Sequence, residues 1–179
     1  IFDLLISNDF CSALRIILDY DNPDIKLRVL KTINAFIKQD ELFNEEDASK
    51  FISYDFKSEL LEASFNCKIQ IINLESLIIG FYDFDLLAKC FDDEVFESFF
   101  EILDTEDRYA KTICYQFFIN LMNMVSTQNE VFLHFKDLLS KNNFITIIEN
   151  DVFDDDEEKE DLKILAQKFL DFLKAENNE

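Results

Sequence analysis

The fold of this chain is decided by residues 17–37, ILDYDNPDIKLRVLKTINAFI, because residues 102–122, ILDTEDRYAKTICYQFFINLM, repeat their pattern. Each copy has Ile-Leu-Asp, a short acidic stretch, a basic residue, and an apolar run that passes through Ile-Asn. In the first copy the apolar residues recur at helical spacing, and Asn22-Pro23 is a typical helix start. We therefore interpret each copy as the end of a short helix, a polar link and a long helix.

Helical periodicity extends over most of the chain, which contains only one Gly and one Pro. So few turn residues argue against an all-β fold, and so few glycines argue against a nucleotide-binding α/β fold. The sequence therefore predicts an all-α protein. The predicted helices cover approximately residues 10–19, 24–38, 55–64, 67–81, 84–91, 94–103, 107–125, a segment that ends near 140, and 161–174.

Three shorter segments complete this assignment. Residues 40–50, DELFNEEDASK, are polar and predict a loop. Thr127 and Glu130 have the spacing of a capping box for the helix that ends near residue 140. Residues 144–149, FITIIE, predict a short apolar turn.

The long helices recur at a nearly constant interval. Ile33, Leu74 and Ile119 mark their centres at spacings of 41 and 45 residues, and Phe169 follows 50 residues later, after an acidic insertion. Periods of about 40–47 residues are typical of armadillo and HEAT arrays. The pattern predicts one helical-repeat domain over residues 1–179, with units of approximately 1–38, 39–81, 82–125 and 126–179. Because the chain does not begin with Met, we expect a fragment or processed piece of a longer array.

Two quoted stretches carry a family resemblance. ALRIILDYDNPDIKLRVLKTINAFI resembles an armadillo unit, and FFEILDTEDRYAKTICYQFFINLM looks like another. The Gly that often separates the first two helices of an armadillo unit is missing, so a HEAT-like or mixed array fits equally. The resemblance implies a right-handed α-solenoid of about four repeats, in which the long helices line a concave groove. An irregular helical bundle is the alternative.

The net charge of −21 bears on the class of partner. So negative a surface repels phosphate backbones and anionic lipids, so we expect neither nucleic acid nor membrane as a direct partner. No run of 18 residues is apolar and uncharged, which predicts no transmembrane helix. The four cysteines, at positions 11, 67, 90 and 114, form no CxxC pair. We interpret them as reduced thiols of a cytoplasmic, or alternatively nuclear, protein.

Signals for catalysis or metal binding are weak. Asp19 and Asp21 could begin a calcium loop, but Asp24 and Leu30 stand where that loop needs Gly and Glu. His134 is the only histidine, and its apolar neighbours predict a partly buried packing residue. We therefore expect no enzymatic activity, no metal and no cofactor.

The long helices differ in charge from the rest of the chain. Segments 24–38, 67–81 and 107–125 contain seven basic and three acidic residues. The armadillo resemblance therefore implies a neutral to positive groove, with charge from Lys31, Lys38 and Lys111. Asn and Gln offer both a donor and an acceptor to the backbone of a bound peptide. The candidate groove amides are Asn34, Gln70, Asn73, Gln116 and Asn120. Alternatively, these residues form the solvated faces of amphipathic helices.

These features favour a protein–protein scaffold or adaptor, with monomer as the favoured state, that binds an extended acidic or amphipathic segment along the groove. One alternative is an importin-α-like adaptor for basic cargo. Importin-α proteins also use groove Asn residues, but they pair them with Trp, which this chain lacks. Two further alternatives are a co-chaperone or regulatory subunit that clasps a folded domain, and a catalytic domain whose unusual site escapes motif reading.

The acidic composition generates a first prediction. Like charges at this density repel, and salt screens them over roughly 10 Å at 0.1 M ionic strength. We expect the melting temperature to rise between low salt and 0.3 M NaCl, mainly through runs 40–47 and 151–161. A flat or falling melting temperature in a thermal scan would show that ion pairs hold these carboxylates instead.

Overall fold

A computed structural model describes residues 10–19, 22–39, 43–52, 56–125, 129–141, 144–154 and 160–175. These residues form helices and contain no strand, which confirms the all-α prediction. No described helix is both long enough and apolar enough to span a lipid bilayer. The helices are α1 (Phe10–Leu18), α2 (Pro23–Gln39), α3 (Glu45–Ile52), α4 (Phe56–Glu62), α5 (Phe65–Ile78), α6 (Phe84–Cys90), α7 (Asp93–Leu103), α8 (Arg108–Val125), α9 (Asn129–Lys141), α10 (Phe144–Val152) and α11 (Glu160–Ala175), and a 3₁₀ turn (Ile79–Phe81) follows α5.

The chain divides into two compact units, residues 1–82 and 83–179, which have several helix pairings in common. In the first unit α1 packs on α2 and α3, and α5 packs on α2 and α4. In the second unit α7 packs on α8 and α9, and α11 packs on α8 and α10. Helices α7–α11 therefore repeat four of the pairings found among α1–α5, and in the second unit α9 also packs on α8 and α10. The repeated sequence pattern corresponds to the pairs α1–α2 and α7–α8.

Side-chain caps explain where several helices begin. The Asn22 side chain accepts hydrogen bonds from the backbone N–H groups of Asp24 and Ile25, both at 3.1 Å. Asp107, at the matching place before α8, accepts one from Ala110 at 3.0 Å. Such caps satisfy amides that the first turn leaves without partners. The predicted helix start at Asn22-Pro23 is confirmed, and the other capping side chains are Asn44, Asp83 and Asp92.

Two predicted non-helical segments are helices. Residues 45–52, in the predicted loop, form α3, because Asn44 caps its first turn while Ala48 and Phe51 enter the core. Acidic residues suit that position, since the helix dipole is positive at the N-terminus. Residues 144–152, predicted to start with a turn, form α10, with Phe144 and Ile148 buried one turn apart. The proposed capping box lies outside the described residues at Thr127.

Helix α5 is the central helix of the first unit. All residues from 69 to 76 are buried, including Gln70, Asn73, Glu75 and Ser76. A helix that is hydrophobic on nearly all sides is covered on all sides in a folded protein. The polar side chains of α5 are consequently removed from water and depend on partners within the unit.

Phenylalanine rings form the core of the second unit. The ring of Phe118 lies parallel to that of Phe169, with 5.0 Å between centroids and 8° between planes. It also contacts Phe99 at 5.0 Å, Phe144 at 5.6 Å and Phe96 at 5.8 Å. Phe118 therefore joins α8 to α7, α10 and α11 at one point.

Truncation of this ring should destabilise the protein. We expect Phe118→Ala to lower the free energy of unfolding by about 3–5 kcal/mol, because it removes buried apolar surface and leaves a cavity. Urea denaturation measures the change. Phe153→Ala is the control, because Phe153 is 76% exposed. Similar losses in the two variants would contradict the assigned core.

Candidate protein-interaction surface

One side of α2 presents three cations to solvent. Arg28, Lys31 and Lys38 are all exposed, and we call them the basic face. Within the described part of the chain, none of the three forms an ion pair. The face is therefore a patch of uncompensated positive charge on a protein whose net charge is −21.

A fourth cation of α2 has a structural role. The Lys26 ammonium lies 2.5 Å from a carboxylate oxygen of Glu59 on α4, and both side chains are partly buried. This pair ties the start of α2 to the short helix that precedes α5. Lys26 therefore differs from the three cations of the basic face, which have no ion-pair partner among the described residues.

An amide contact lies beside the basic face. The Asn34 amide nitrogen donates to the backbone carbonyl of Gln70 at 2.9 Å and to its side-chain oxygen at 3.1 Å. Lys31 and Lys38 lie three residues before and four residues after Asn34, so they flank this contact on adjacent helical turns. The contact fixes α2 against α5 and thereby holds the backbone that carries the basic face.

The groove amides of the first unit are less accessible than we expected. Asn34, Gln70 and Asn73 are 3%, 7% and 4% exposed, so they form no solvated ladder. The reason is that α5 is covered on all sides. The side-chain oxygen of Asn34 is buried without a hydrogen-bond partner. Any role of these three residues in peptide binding stays a prediction, and the structure gives Asn34 and Gln70 a contact with each other.

Lys111 is not the exposed groove cation that we expected. Its ammonium lies 2.6 Å from one carboxylate oxygen of Asp151, and only 12% of its side chain is accessible. The Tyr115 hydroxyl donates to the other Asp151 oxygen at 2.6 Å. Burial, together with the Asp151 charge, raises the pKa of Tyr115, so its hydroxyl remains a donor. The three side chains join α8 to α10.

Lys26 and Lys111 occupy the same place in the repeated sequence pattern. Each is the tenth residue of its copy, and each pairs with a carboxylate on the short helix that precedes the last helix of its unit. Sequence reasoning missed both carboxylates, Glu59 and Asp151. They lie 33 and 40 residues from their lysines, and no local pattern marks them.

The remaining candidates lie on a different side of α8. Gln116 is exposed, and its amide nitrogen donates to the Asn120 side-chain oxygen at 2.9 Å, one turn away. Asn120 is half-buried. Within the second unit, Lys111 faces α10 while Gln116 and Asn120 form a polar contact within α8. In the first unit, by contrast, Asn34 on α2 contacts Gln70 on α5. Lys31 and Lys38 lie on α2 about one turn before and one turn after Asn34.

The described residues offer little material for metal binding or nucleophilic chemistry. Among them, no three His, Cys, Asp or Glu side chains are grouped to hold a metal ion. His134 is exposed, so the expectation of a partly buried packing residue was wrong. Cys114 is fully buried, and burial raises the pKa of its thiol, which disfavours the reactive thiolate.

No protein-family model matches the chain, and no curated protein or solved structure matches it either. The armadillo or HEAT relationship therefore stays a prediction that rests on the sequence pattern.

The contacts of Asp151 generate a stability prediction. Asp151→Asn leaves the largely buried Lys111 ammonium without a counter-charge, and we expect a loss of about 3 kcal/mol in unfolding free energy. Tyr115→Phe should cost about 1 kcal/mol, because one hydrogen bond is lost. Chemical denaturation measures both changes.

Glu149→Gln provides the matched control two residues earlier on α10. Glu149 pairs with Lys174 at 3.4 Å in an exposed setting, so the change should stay within about 0.5 kcal/mol. If Asp151→Asn proves as mild as Glu149→Gln, the Lys111 pair is not a structural anchor.

Proposed function

We propose that this protein is a protein–protein interaction module that binds an acidic or amphipathic partner segment along the basic face of α2. The observation that carries the proposal is that Arg28, Lys31 and Lys38 are exposed and form no ion pair among the described residues, on a chain of net charge −21. Acidic side chains outnumber basic ones by 38 to 17, and yet no described acidic side chain neutralises these three cations. A negatively charged partner segment supplies the missing counter-charges.

Charge complementarity of this kind sets the expected character of binding. Exposed ion pairs contribute roughly 0.2–1 kcal/mol each, so three of them give weak, salt-dependent binding unless apolar contacts add to it. Ile25 is 40% exposed on the same helix and offers such a contact. An amphipathic segment fits this combination better than a purely acidic one.

The array proposed from the sequence agrees with this function. The four helix pairings that α1–α5 and α7–α11 have in common support a repeat architecture, of which a solenoid of about four armadillo- or HEAT-like units is one form. A scaffold built from repeats presents helix faces for recognition without a catalytic pocket. The four cysteines are free thiols, which fits a reducing compartment such as the cytoplasm.

The test begins with a selection of peptides that bind the intact protein. A displayed library of random linear peptides is panned against the wild type, and the affinities of selected peptides are measured by fluorescence anisotropy. The binding variant is Arg28→Glu, Lys31→Glu and Lys38→Glu together. The control, Lys163→Glu, Lys168→Glu and Lys174→Glu on α11, changes the net charge by the same amount. Circular dichroism checks that both variants fold.

We expect the selection to yield acidic, amphipathic peptides. Their affinity should fall about tenfold or more in the α2 variant and change little in the α11 variant. Equal losses in both variants would assign binding to net charge instead of the basic face. Selection of basic peptides would overturn the proposal in favour of the importin-α-like alternative. Recovery of no peptide would also overturn it and leave the alternative of a clasped folded domain.

A further inference from the structure

The end of the first unit contains a buried carboxyl group that has one side-chain partner among the described residues. Glu75 is 1% exposed and Tyr82 is 5% exposed. The Tyr82 hydroxyl donates to a Glu75 carboxyl oxygen at 2.5 Å. Tyr82 is the last residue of the first unit and follows the 3₁₀ turn directly. The hydrogen bond therefore attaches the segment that leaves the unit to the interior of α5.

We propose that Glu75 and Tyr82 form a proton-controlled latch, in which protonated Glu75 holds the 3₁₀ turn and Tyr82 against α5 and ionisation favours opening of this end of the unit. The latch is independent of the basic face and of the partner proposed for it. Its elements are one hydrogen bond, one buried acid and a short turn at the boundary of the unit.

Among the residues that the structure describes, no counter-charge pairs with Glu75. Tyr82 is its only side-chain partner among the described residues, and no ion pair reaches it. On the elements that pack on α5 or on the 3₁₀ turn, Lys26 pairs with Glu59 and Lys50 pairs with Asp47. The other ionisable groups of these elements are Asp24, Arg28, Lys31, Lys38, Glu45, Glu46, Lys57, Glu62, Cys67 and Lys68.

The proton balance follows from this environment. Burial raises the pKa of Glu75 to about 8, and the hydrogen bond from Tyr82 acts in the opposite direction. A carboxylate can accept about four hydrogen bonds, and Tyr82 supplies one. Exposure to water therefore stabilises the ionised carboxylate, because water supplies the hydrogen bonds that the buried site lacks.

The turn is the part of this site that can move most easily. Residues 69–76 of α5 are all buried, whereas two of the three turn residues, Gly80 and Phe81, are exposed and Ile79 is buried. Short 3₁₀ turns have poorer hydrogen-bond geometry than α-helices, and local opening starts at the least stable elements. Displacement of Tyr82 and the turn exposes Glu75 without unfolding α5.

The sign of the pH dependence is fixed by linkage. In the open state Glu75 has an ordinary pKa near 4.5, whereas in the closed state its pKa is about 8. The closed state binds more protons between these values, so its stability is complete below about pH 4.5 and declines as pH rises. The opening constant increases about tenfold per pH unit and levels off above pH 8.

Hydrogen exchange of the full chain tests the latch. Protection of the amides at 79–82, corrected for intrinsic exchange rates, should fall about tenfold per unit between pH 5 and pH 8 in the wild type. Glu75→Gln keeps the shape and the acceptor but does not titrate, so its protection should be independent of pH. In Tyr82→Phe the hydrogen bond that favours the ionised form is lost, so the levelling point should move to higher pH.

Two measurements on the wild type can refute the proposal, and neither depends on a variant that folds. A ¹³C titration of the Glu75 carboxyl in the wild type should give a midpoint near pH 8, and a midpoint near 4.5 overturns the latch. The amides of α5 should stay better protected than those at 79–82 at every pH. If both sets exchange at one rate, opening is global unfolding and no local latch exists. If amide protection at 79–82 has the same pH dependence in the wild type and in Glu75→Gln, the latch is also overturned.

Discussion

A lysine–carboxylate pair ties the long helix of each unit to a short helix and constrains how the long helix packs. Lys26 on α2 meets Glu59 on α4, and Lys111 on α8 meets Asp151 on α10. In both units the carboxylate comes from the short helix that packs against the last helix. An ion pair that is largely removed from water strongly penalises any arrangement that separates its partners, because one charge would then be buried alone. The pair therefore selects one packing of the long helix.

The first unit adds a second constraint through the polar residues of α5. Gln70 receives a hydrogen bond from Asn34, which orients α2, and Glu75 receives one from Tyr82, which holds the end of the unit. Because α5 is covered on all sides, each of these contacts replaces water that the residue has lost. The same helix thus determines both how the basic face is presented and how the boundary of the unit responds to protons.

The sequence predicted those parts of the fold that depend on local signals. The cap at Asn22 and the apolar spacing of α2 lie within one segment, so their helix was predicted with nearly correct ends. Helix α3 was missed because Glu45, Glu46 and Asp47 resemble a loop in composition, although acidic residues also favour a helix start after Asn44. Here the position of charges relative to a cap mattered more than their number.

The candidate site was less predictable, because exposure depends on contacts between distant segments. Lys31, Lys38 and Lys111 are equivalent by composition, and only the first two are exposed. Lys111 is largely buried where it pairs with Asp151, which lies 40 residues further along the chain. Asn34 and Asn120 both follow the Ile of the repeated pattern, yet one is buried against α5 and the other bonds within α8.

These differences separate what the two units share from what each unit does alone. Counted from the anchoring lysine, the exposed Lys31 and Lys38 of the first unit correspond to the exposed Gln116 and Asn123 of the second. The anchoring ion pair is retained, while these two exposed positions change from positive to neutral. A contact that determines packing cannot vary without loss of stability, whereas an exposed side chain contributes little to it. The charge of exposed side chains can therefore differ between the two units, and in this protein the cations of the basic face occur on the first unit.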